Sequence, residues 1–354
     1  MGRRAWLVAA AAGAVALSGC GGGDGADPLP PTTKDGSLGT ALIYLPVGST
    51  SVEFGDSSPW MIAHGFSRGE DGDLSKDDRF LKALQNASFT ESGLWTYFRA
   101  MDDWGWSALD IDWSATATDA RTEKMVHYVQ FLSGVKISTI ETSLIDHGYT
   151  AKGHRFTAPS LKTVHDDTDY GLLLSIGRNV RFYPDKHLMV SSNTVTDLEL
   201  PSDAKSLAND RAVRQVVAPI KTADYVSITT GSGACITPRN STPAQLKQLG
   251  PLGTVSATAA AVLNDNKSIA TVSYPSEDAA TSDLPHRKAL LAQKSLVNNE
   301  PYQSIAHFAL TRKGPTIRYT IGGRPLLVPQ MLHTGDAPWA MCAPKGGGTA
   351  SATS

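Results

Sequence analysis

The chain has 354 residues, of which 41% are hydrophobic and 19% are charged, and its formal net charge is −2. This composition is typical of folded globular proteins, and the length suits one or two domains. Without a basic excess the chain cannot neutralise many phosphates, so nucleic acid is not expected as a partner. After residue 20, no apolar run approaches the roughly 20 residues that cross a bilayer as a helix.

The first nineteen residues have the pattern of a signal peptide. Arg3 and Arg4 supply positive charge, and an apolar run follows from Trp6 to Leu17, too short for a spanning helix. The run ends in Leu17-Ser18-Gly19-Cys20, which resembles the lipobox of bacterial lipoproteins. The resemblance implies cleavage before Cys20 and attachment of a diacylglycerol to that cysteine. The alternative is an ordinary secretory signal with a cysteine there by chance.

The exported part is expected to begin with a flexible tether at residues 20–37, which are rich in Gly, Pro and Thr and have little to bury. Cleavage would remove two arginines and leave 30 basic against 34 acidic residues, a mature charge of −4. Residues 345–354 form a Gly/Ser/Thr/Ala tail that is expected to be disordered. We therefore expect an extracytoplasmic protein whose lipid binds the outer face of the cell membrane.

Residues 38–240 are predicted to form a first α+β lobe. Two helices are predicted first, at Asp77–Ala87 and Glu91–Ala100, and strict alternation then predicts a half-buried strand at Leu109–Ala117. A capping box at Ser138–Glu141 predicts the start of a helix that closes at His147–Gly148. The other predicted elements are strands at Val126–Leu132, Gly171–Ile176, Val180–Tyr183, Leu188–Ser191 and Tyr225–Thr229, and helices at Asp203–Asn209 and Asp210–Ile220.

Residues 241–344 are predicted to form a second lobe. The segment Gly250–Thr258 has no predicted helix or strand. The predicted elements that follow it are a strand at Ile269–Tyr274, a helix at Ser276–Lys294, and strands at Ile305–Thr311 and Thr316–Ile321. The order strand–helix–strand–strand thus occurs in both halves. We predict an α+β fold of two lobes, with antiparallel or mixed sheets and helices packed on one face.

This order of elements behind a lipobox is similar to that of uncharacterised lipoproteins of high-GC Gram-positive bacteria. The similarity lies in the style of the sequence, including His147-Gly148-Tyr149 and the run from Ser206 to Asp210. It carries over no functional residue.

Three cysteines are present, and Cys20 is assigned to the lipid. Cys235 and Cys342 remain, and outside the cytoplasm such a pair is expected to form a disulfide. Two separate buried thiols are the alternative, because sequence spacing does not establish bridge geometry.

Two loop motifs resemble functional sites but lack their context. Gly65-Phe66-Ser67-Arg68-Gly69 matches the nucleophile elbow of hydrolases, yet polar residues follow Ser67 where a helix is required. Asp71–Asp77 resembles a calcium loop, but lysines occupy its glycine and final glutamate positions. We interpret the first as a surface loop and expect Ser75 or Asp77 to cap the next helix.

The other candidates also have ordinary structural explanations. Asp110 and Asp112 fit the solvent face of a strand better than a catalytic carboxylate pair, and His165-Asp166-Asp167 lacks a third metal ligand. A tryptophan cluster is compatible with a ligand site, but core packing is favoured. Its members are Trp95, Trp104, Trp106 and Trp113.

No catalytic, cofactor or metal-binding set is therefore assigned. The leading hypothesis is a non-enzymatic, membrane-anchored protein that binds a ligand or a partner, and the alternative is a secreted hydrolase with a dispersed active site. A cleft with perturbed ionisable groups would favour the hydrolase. A shallow apolar groove or an internal cavity would favour the binding protein.

Overall fold

The computed structural model describes residues 36–67, 74–92, 104–159, 177–236 and 251–342. The predicted signal peptide with its lipobox and the predicted tail lie outside these residues. So do the predicted strand at Gly171–Ile176, the His165-Asp166-Asp167 motif, and most of the helix predicted at Glu91–Ala100.

Eight helices and twelve strands occur in these ranges. The helices are α1 (Ser37–Tyr44), α2 (Ser57–His64), α3 (Asp78–Leu84), α4 (Ile137–Asp146), α5 (Arg211–Val217), α6 (Glu277–Leu291), α7 (Tyr302–Ile305) and α8 (Leu327–His333). The strands are β1 (Ser51–Asp56), β2 (Ile111–Asp119), β3 (Lys124–Phe131), β4 (Thr150–Lys152), β5 (Arg155–Thr157), β6 (Asn179–Tyr183), β7 (Leu188–Ser192), β8 (Tyr225–Thr230), β9 (Ala257–Asn264), β10 (Lys267–Ser273), β11 (His307–Lys313) and β12 (Thr316–Gly322).

All twelve strands belong to one antiparallel sheet, in the order β11-β12-β10-β9-β8-β1-β2-β3-β7-β6-β5-β4. The predicted α+β class is therefore confirmed. β8 pairs with β1 on one side and with β9 on the other, so the sheet continues across the predicted lobe boundary after residue 240. The predicted division into two lobes is not confirmed by this arrangement.

The strand order nevertheless repeats on the two sides of the β1–β8 pair. Outward from β1 it is β1-β2-β3-β7-β6, and outward from β8 it is β8-β9-β10-β12-β11. In each half a helix precedes the first strand, and another helix follows the third strand. The short strands β4 and β5 extend the first half at its edge and have no counterpart in the second.

Helices cover both faces of the sheet, so the prediction of helices on one face is wrong. One hydrophobic cluster fills the middle of one face, where α1 and α5 pack on Val52, Phe54 and Val226. On the opposite face, a second cluster lies under α2, α3 and α4 in the first half, and a third lies under α6, α7 and α8 in the second. β9 is buried over six consecutive residues from Ala257 to Val262, which requires a layer on each face of the sheet there.

The tryptophans that the structure describes in the predicted cluster are core residues. Trp113 lies in the middle cluster between Tyr44 and Phe54, with ring centroids 6.3 and 6.1 Å away. Trp104 and Trp106 are also buried and belong to the first-half cluster. Trp95 lies outside the described residues. In the part of the chain that the structure describes, no helix has both the length and the apolarity to cross a membrane.

One local prediction is wrong at α4. The helix begins at Ile137 after an N-cap, Lys136, that makes no side-chain capping bond, so Ser138 does not open it. Glu141 instead contacts His154, with Oε1 2.6 Å from Nδ1. The predicted end is confirmed, because Gly148 follows the helix with a φ of 85°, a conformation that favours glycine.

Candidate functional site

A polar row crosses four central strands on the face between the first-half and second-half clusters. His127 of β3 pairs with Thr116 of β2, Thr116 pairs with Glu53 of β1, and Glu53 pairs with Ser227 of β8. Directly opposed residues in neighbouring strands bring their Cβ atoms within about 5.5 Å of one another. The row is therefore a continuous line of polar side chains between two apolar regions.

Glu53 is the carboxyl of this row and accepts hydrogen bonds from two hydroxyls of β8. Ser227 donates from Oγ at 2.8 Å, and the Tyr225 hydroxyl donates to the other carboxyl oxygen. Burial raises the pKa of Glu53 to about 7, although both hydrogen bonds act to lower it. At neutral pH this carboxyl is thus close to its point of half-protonation.

His127, two strands away, does not balance the charge of Glu53. Its Nδ1 lies 3.0 Å from Thr116 Oγ1, and burial lowers the pKa of the imidazole to about 4. The imidazole is therefore neutral near pH 7. Ser227 and Tyr225 are both buried, so their hydroxyls are poorly placed to attack a substrate.

A second site, which we call the strand-end cleft, is an open cavity of about 520 Å³ at one end of the central strands. One wall comes from α2 and α3 in the first half, and the other comes from the β9–β10 turn and the segment after β12 in the second half. The residues that line it are Trp60, His64, Ala83, Asn86, Asp265, Asn266, Gly323, Arg324 and Pro325.

The local sequence at the end of β1 explains how the first wall is built. Asp56 ends the strand and caps α2, where its Oδ1 accepts a hydrogen bond from Ser58 N at 2.8 Å. The helix stops at Gly65, whose φ of 69° is left-handed. His64 is therefore held at the last turn of α2, and its ring stacks on Trp60 with centroids 4.4 Å apart.

Both ring nitrogens of His64 face acceptors. Nδ1 lies 2.9 Å from the carbonyl oxygen of Trp60, and Nε2 lies 2.9 Å from Oδ2 of Asp265 in the β9–β10 turn. The imidazolium form donates to both. Because neither nitrogen is available to take a proton from a hydroxyl, this histidine is not arranged as the general base of a nucleophile.

Asp224 lies just before β8 and interacts electrostatically with His64 and Asp265, which line the cleft. Its backbone is held on both sides, because its N–H donates to Val262 O at 2.9 Å and its carbonyl accepts from Asp56 N at 3.0 Å. The residue is 3% exposed, and no residue that the structure describes donates a hydrogen bond to its carboxyl group. Burial first, and then Asp265 and Asp56, raise the pKa of Asp224 to about 7, whereas His64 acts to lower it.

Several ionisable groups lie near the strand-end cleft. The carboxyl of Asp224 interacts with those of Asp265 and Asp56 and with the imidazole of His64. Arg324 lines the cleft but forms no ion pair with any residue in the described ranges. Those ranges also contain no group of three or more His, Cys, Asp or Glu side chains that could hold a metal ion.

The structure places the two remaining cysteines together. Cys235 and Cys342 form a disulfide with Cα atoms 5.4 Å apart, as their number and expected compartment predict. Their neighbours Ile236 and Met341 form an isolated parallel bridge, so the disulfide fixes the end of the described chain to the segment after β8. Cys20, the predicted lipidation site, lies outside the described residues.

The structure does not place the motif residues in either site. Ser67 follows helix α2 instead of lying between a strand and a helix, which is not the geometry of a nucleophile elbow. Asp77 caps α3, as expected, by accepting from Arg79 N and Phe80 N. Asp110 is not on a strand face, because it precedes β2 and accepts a hydrogen bond from Ser107 N at 2.7 Å.

No protein-family model matches the chain, and no curated protein or solved structure shows significant similarity to it. The residues of both sites therefore have to be interpreted from their geometry. The sequence analysis did not identify Glu53, His64, Asp224 or Asp265 as site residues. The sequence contains only weak indications of them, namely the alternating Val-Glu-Phe triplet at 52–54 and the acidic residues at the ends of strands.

Proposed function

We propose that the protein is a membrane-anchored, extracytoplasmic lipoprotein that binds a small ligand without chemical conversion, and that the strand-end cleft is its binding site. The observation that carries the proposal is a cavity of about 520 Å³ that is lined by residues of both halves, among them His64, Asp265 and Arg324. Ligand sites are typically concave, with a few polar groups that converge on them. A volume of this size suits a small organic molecule.

The anchor in this proposal rests on the sequence. Arg3, Arg4 and the apolar run to Leu17 precede the lipobox that ends at Cys20, and a lipid on Cys20 would hold the protein at the outer face of the cell membrane. Residues 20–37 would then separate the folded part from the bilayer. The disulfide between Cys235 and Cys342 supports an oxidising compartment.

We further propose that the body consists of two related lobes, 38–240 and 241–344. The repeated strand order around the β1–β8 pair supports this division. The strand-end cleft would then be a site between lobes, since α2 and the β9–β10 turn come from different halves. Ligand sites are frequent at such boundaries.

A hydrolase is the second candidate, and the pKa values of about 7 for Glu53 and Asp224 favour it. General acids and bases work best when their pKa is near the operating pH. However, both ring nitrogens of His64 are engaged, and neither carboxyl is paired with an accessible nucleophile among the described residues. Binding is therefore the function that the geometry supports better.

The test is to identify what the cleft retains. We expect a small molecule to be released when the full chain, purified in mild detergent, is denatured and the supernatant is analysed by untargeted mass spectrometry. In Asn86→Trp, an indole placed at an exposed lining position would fill part of the cleft, so the same molecule should be depleted at least tenfold. Asn298→Trp is the matched control, because Asn298 is also exposed and does not line the cleft.

Two results would contradict binding in the cleft. One is a co-purifying molecule retained equally by wild type and Asn86→Trp. The other is a new product formed from the released molecule on incubation with fresh protein, which would favour the hydrolase.

A further inference from the structure

We propose that the protein has a second binding site, which takes an elongated and largely apolar molecule with a hydrogen-bonding oxygen at one end and a carboxylate at the other. The site is an open cavity of about 340 Å³ beside the β2–β3 hairpin, which we call the hairpin cleft. Val126 and Tyr128 of β3 form its floor, and its two walls are the segments 46–49 and 195–199. The proposal is independent of the strand-end cleft, because the two cavities share no lining residue.

Tyr128 presents a hydroxyl group without a protein partner to the hairpin cleft. The residue is 3% exposed, and no residue that the structure describes forms a hydrogen bond with the hydroxyl. This group is not among the fully enclosed polar atoms, so the small exposed part of Tyr128 includes it, and Tyr128 lines the cleft. Buried polar groups are normally hydrogen-bonded. Burial raises the pKa of Tyr128, so the hydroxyl stays protonated and can donate to an oxygen of a ligand.

The middle of the hairpin cleft is apolar. Val126 lies on the same face of β3 as Tyr128, and Val190 is the partner of Tyr128 in β7. The walls add Leu198 and Val47. Val47 is 49% exposed, so an apolar ligand body that covers it would remove hydrophobic surface from water.

Both walls are held in place by hydrogen bonds. On one side, the backbone N–H of Val47 donates to the carbonyl of Lys205 at 2.7 Å. On the other side, the Tyr183 hydroxyl donates to Leu198 O at 2.7 Å and accepts from Leu200 N at 3.2 Å. The cavity is therefore preformed, as ligand sites usually are.

Two cations of the hairpin lie at the outer end of the cleft. Lys124 is exposed and forms no ion pair with any residue in the described ranges. Arg121 pairs with Asp119 through Nε at 3.2 Å, and its Nη2 lies beside Gly48, where an added Cβ atom would meet it at 3.9 Å. The Nη nitrogens of Arg121 donate to no residue that the structure describes, so they are free to bind a carboxylate.

The carboxylates of the cleft do not cancel this positive charge. Asp119 pairs with Arg121, and Glu199 pairs with both Arg155 and Arg181. The charged lining residues and their ion-pair partners comprise four cations and three carboxylates: Arg121, Lys124, Arg155 and Arg181 against Asp119, Asp197 and Glu199. A carboxylate on the ligand would balance the surplus charge.

The spacing along β3 sets the length of the ligand. Lys124, Val126 and Tyr128 share one face, because alternate residues of a strand do. At a rise of about 3.4 Å per residue, about 13 Å of strand separates Lys124 from Tyr128. Because the Lys124 side chain is long and flexible, a ligand of about 10 Å reaches both ends.

The experiment is isothermal titration calorimetry on the full chain in mild detergent at pH 7.5, with 3-(4-hydroxyphenyl)propionate as the probe. Two analogues each lack one feature: 3-phenylpropionate lacks the hydroxyl, and tyramine has an amine in place of the carboxylate. We expect the hydroxylated acid to bind and both analogues to bind at least threefold more weakly. Asn86→Trp, which fills part of the strand-end cleft, should bind the acid as wild type does.

Tyr128→Phe removes only the hydroxyl group. It should weaken the hydroxylated acid at least threefold, as expected for the loss of one neutral hydrogen bond, and leave 3-phenylpropionate unchanged. A general structural defect would instead weaken both acids. Tyr319→Phe is the matched control, because Tyr319 is also buried but lies in the second half; it should bind both acids as wild type does.

Lys124→Gln tests the outer end of the cleft without changing a buried residue. It should weaken both acids and leave tyramine unchanged or tighter. Lys152→Gln is the matched control, since Lys152 is exposed on β4 and does not line the cleft.

The proposal is overturned if the hydroxylated acid does not bind, or if tyramine binds as tightly as that acid. It is also overturned if Tyr128→Phe weakens both acids alike or neither of them, since water and not a ligand would then pair with the hydroxyl. Loss of binding in Asn86→Trp would place the acid in the strand-end cleft instead. None of these outcomes bears on whether the strand-end cleft retains a molecule of its own.

Discussion

The carboxylate of Asp283 on α6 is the part of the fold whose removal should be most damaging. It accepts hydrogen bonds from Arg287 Nε at 2.8 Å, from the Tyr274 hydroxyl at 2.6 Å and from Gly253 N at 2.7 Å. Asp283 is 2% exposed and Arg287 is fully buried. Arg287 Nη1 also donates to the carbonyls of Pro338 and Trp339 at 3.1 Å, so the pair connects α6 to the C-terminal segment.

Asp283→Asn keeps the size of the side chain but leaves the buried guanidinium without a counter-charge. Breaking a buried ion pair in this way costs about 3–5 kcal/mol. Glu277→Gln, in the first turn of the same helix, is the matched control. Glu277 pairs with Arg312 at 2.7 Å but is mostly exposed, and an exposed pair contributes about 0–1 kcal/mol.

Urea unfolding of wild type and the two variants at pH 7 measures how much each substitution lowers the free energy of unfolding, provided that the m-value stays constant. Similar losses in the two variants would show that burial does not govern the strength of these ion pairs. A loss below about 1 kcal/mol in Asp283→Asn, the range of exposed pairs, would refute the reasoning.

The same pair predicts a pH dependence. Burial acts to raise the pKa of Asp283, but the charge of Arg287 and the hydrogen bonds outweigh it and hold the pKa below its usual value. A carboxyl with a lowered pKa stabilises the fold above its unfolded-state pKa, about 3.9, and this contribution is lost as the pH falls through the folded-state value. The difference between wild type and Asp283→Asn should therefore shrink below about pH 4.

Two further predictions concern the cysteines. Cys20→Ser should abolish labelled palmitate incorporation and release the protein from the membrane, whereas Cys342→Ser should keep the label; a membrane-bound, normally processed Cys20→Ser protein would contradict the lipobox interpretation. Cys342→Ser should lower the free energy of unfolding, by up to ~4–5 kcal/mol in the chain-entropy model, because the disulfide closes a sequence separation of 107 residues. Equal urea midpoints for Cys342→Ser and wild type would refute this.

Much of the sheet could be predicted from local pattern. β2, β6 and β12 each show apolar residues at every second position, and in β12 the expected inward residues Ile317, Tyr319 and Ile321 are all buried. Such alternation is a local property, because successive side chains of a strand point to opposite faces. The cysteine pairing could likewise be predicted from number and compartment.

Two central strands could not be recognised in this way. β9 has six buried residues in succession, many of them alanine, because it lies between strands and is covered on both faces. β1 is short and contains Gly55, where a Cβ atom would lie 1.9 Å from Ser92 Oγ. That glycine is required by a segment of 3₁₀ helix that packs on the strand, and not by any signal in β1 itself.

The class of fold, the order of most elements and the disulfide follow from the amino-acid sequence, because each depends on local periodicity or on a count of residues. The strand-end cleft does not follow from the amino-acid sequence in this way. Asp56, Asp224 and Asp265 are distant in sequence and come together because β1, β8 and β9 pair side by side. Burial of Asp224 in that setting raises its pKa to about 7, since the low-dielectric surroundings and the neighbouring carboxyl groups disfavour its charged form.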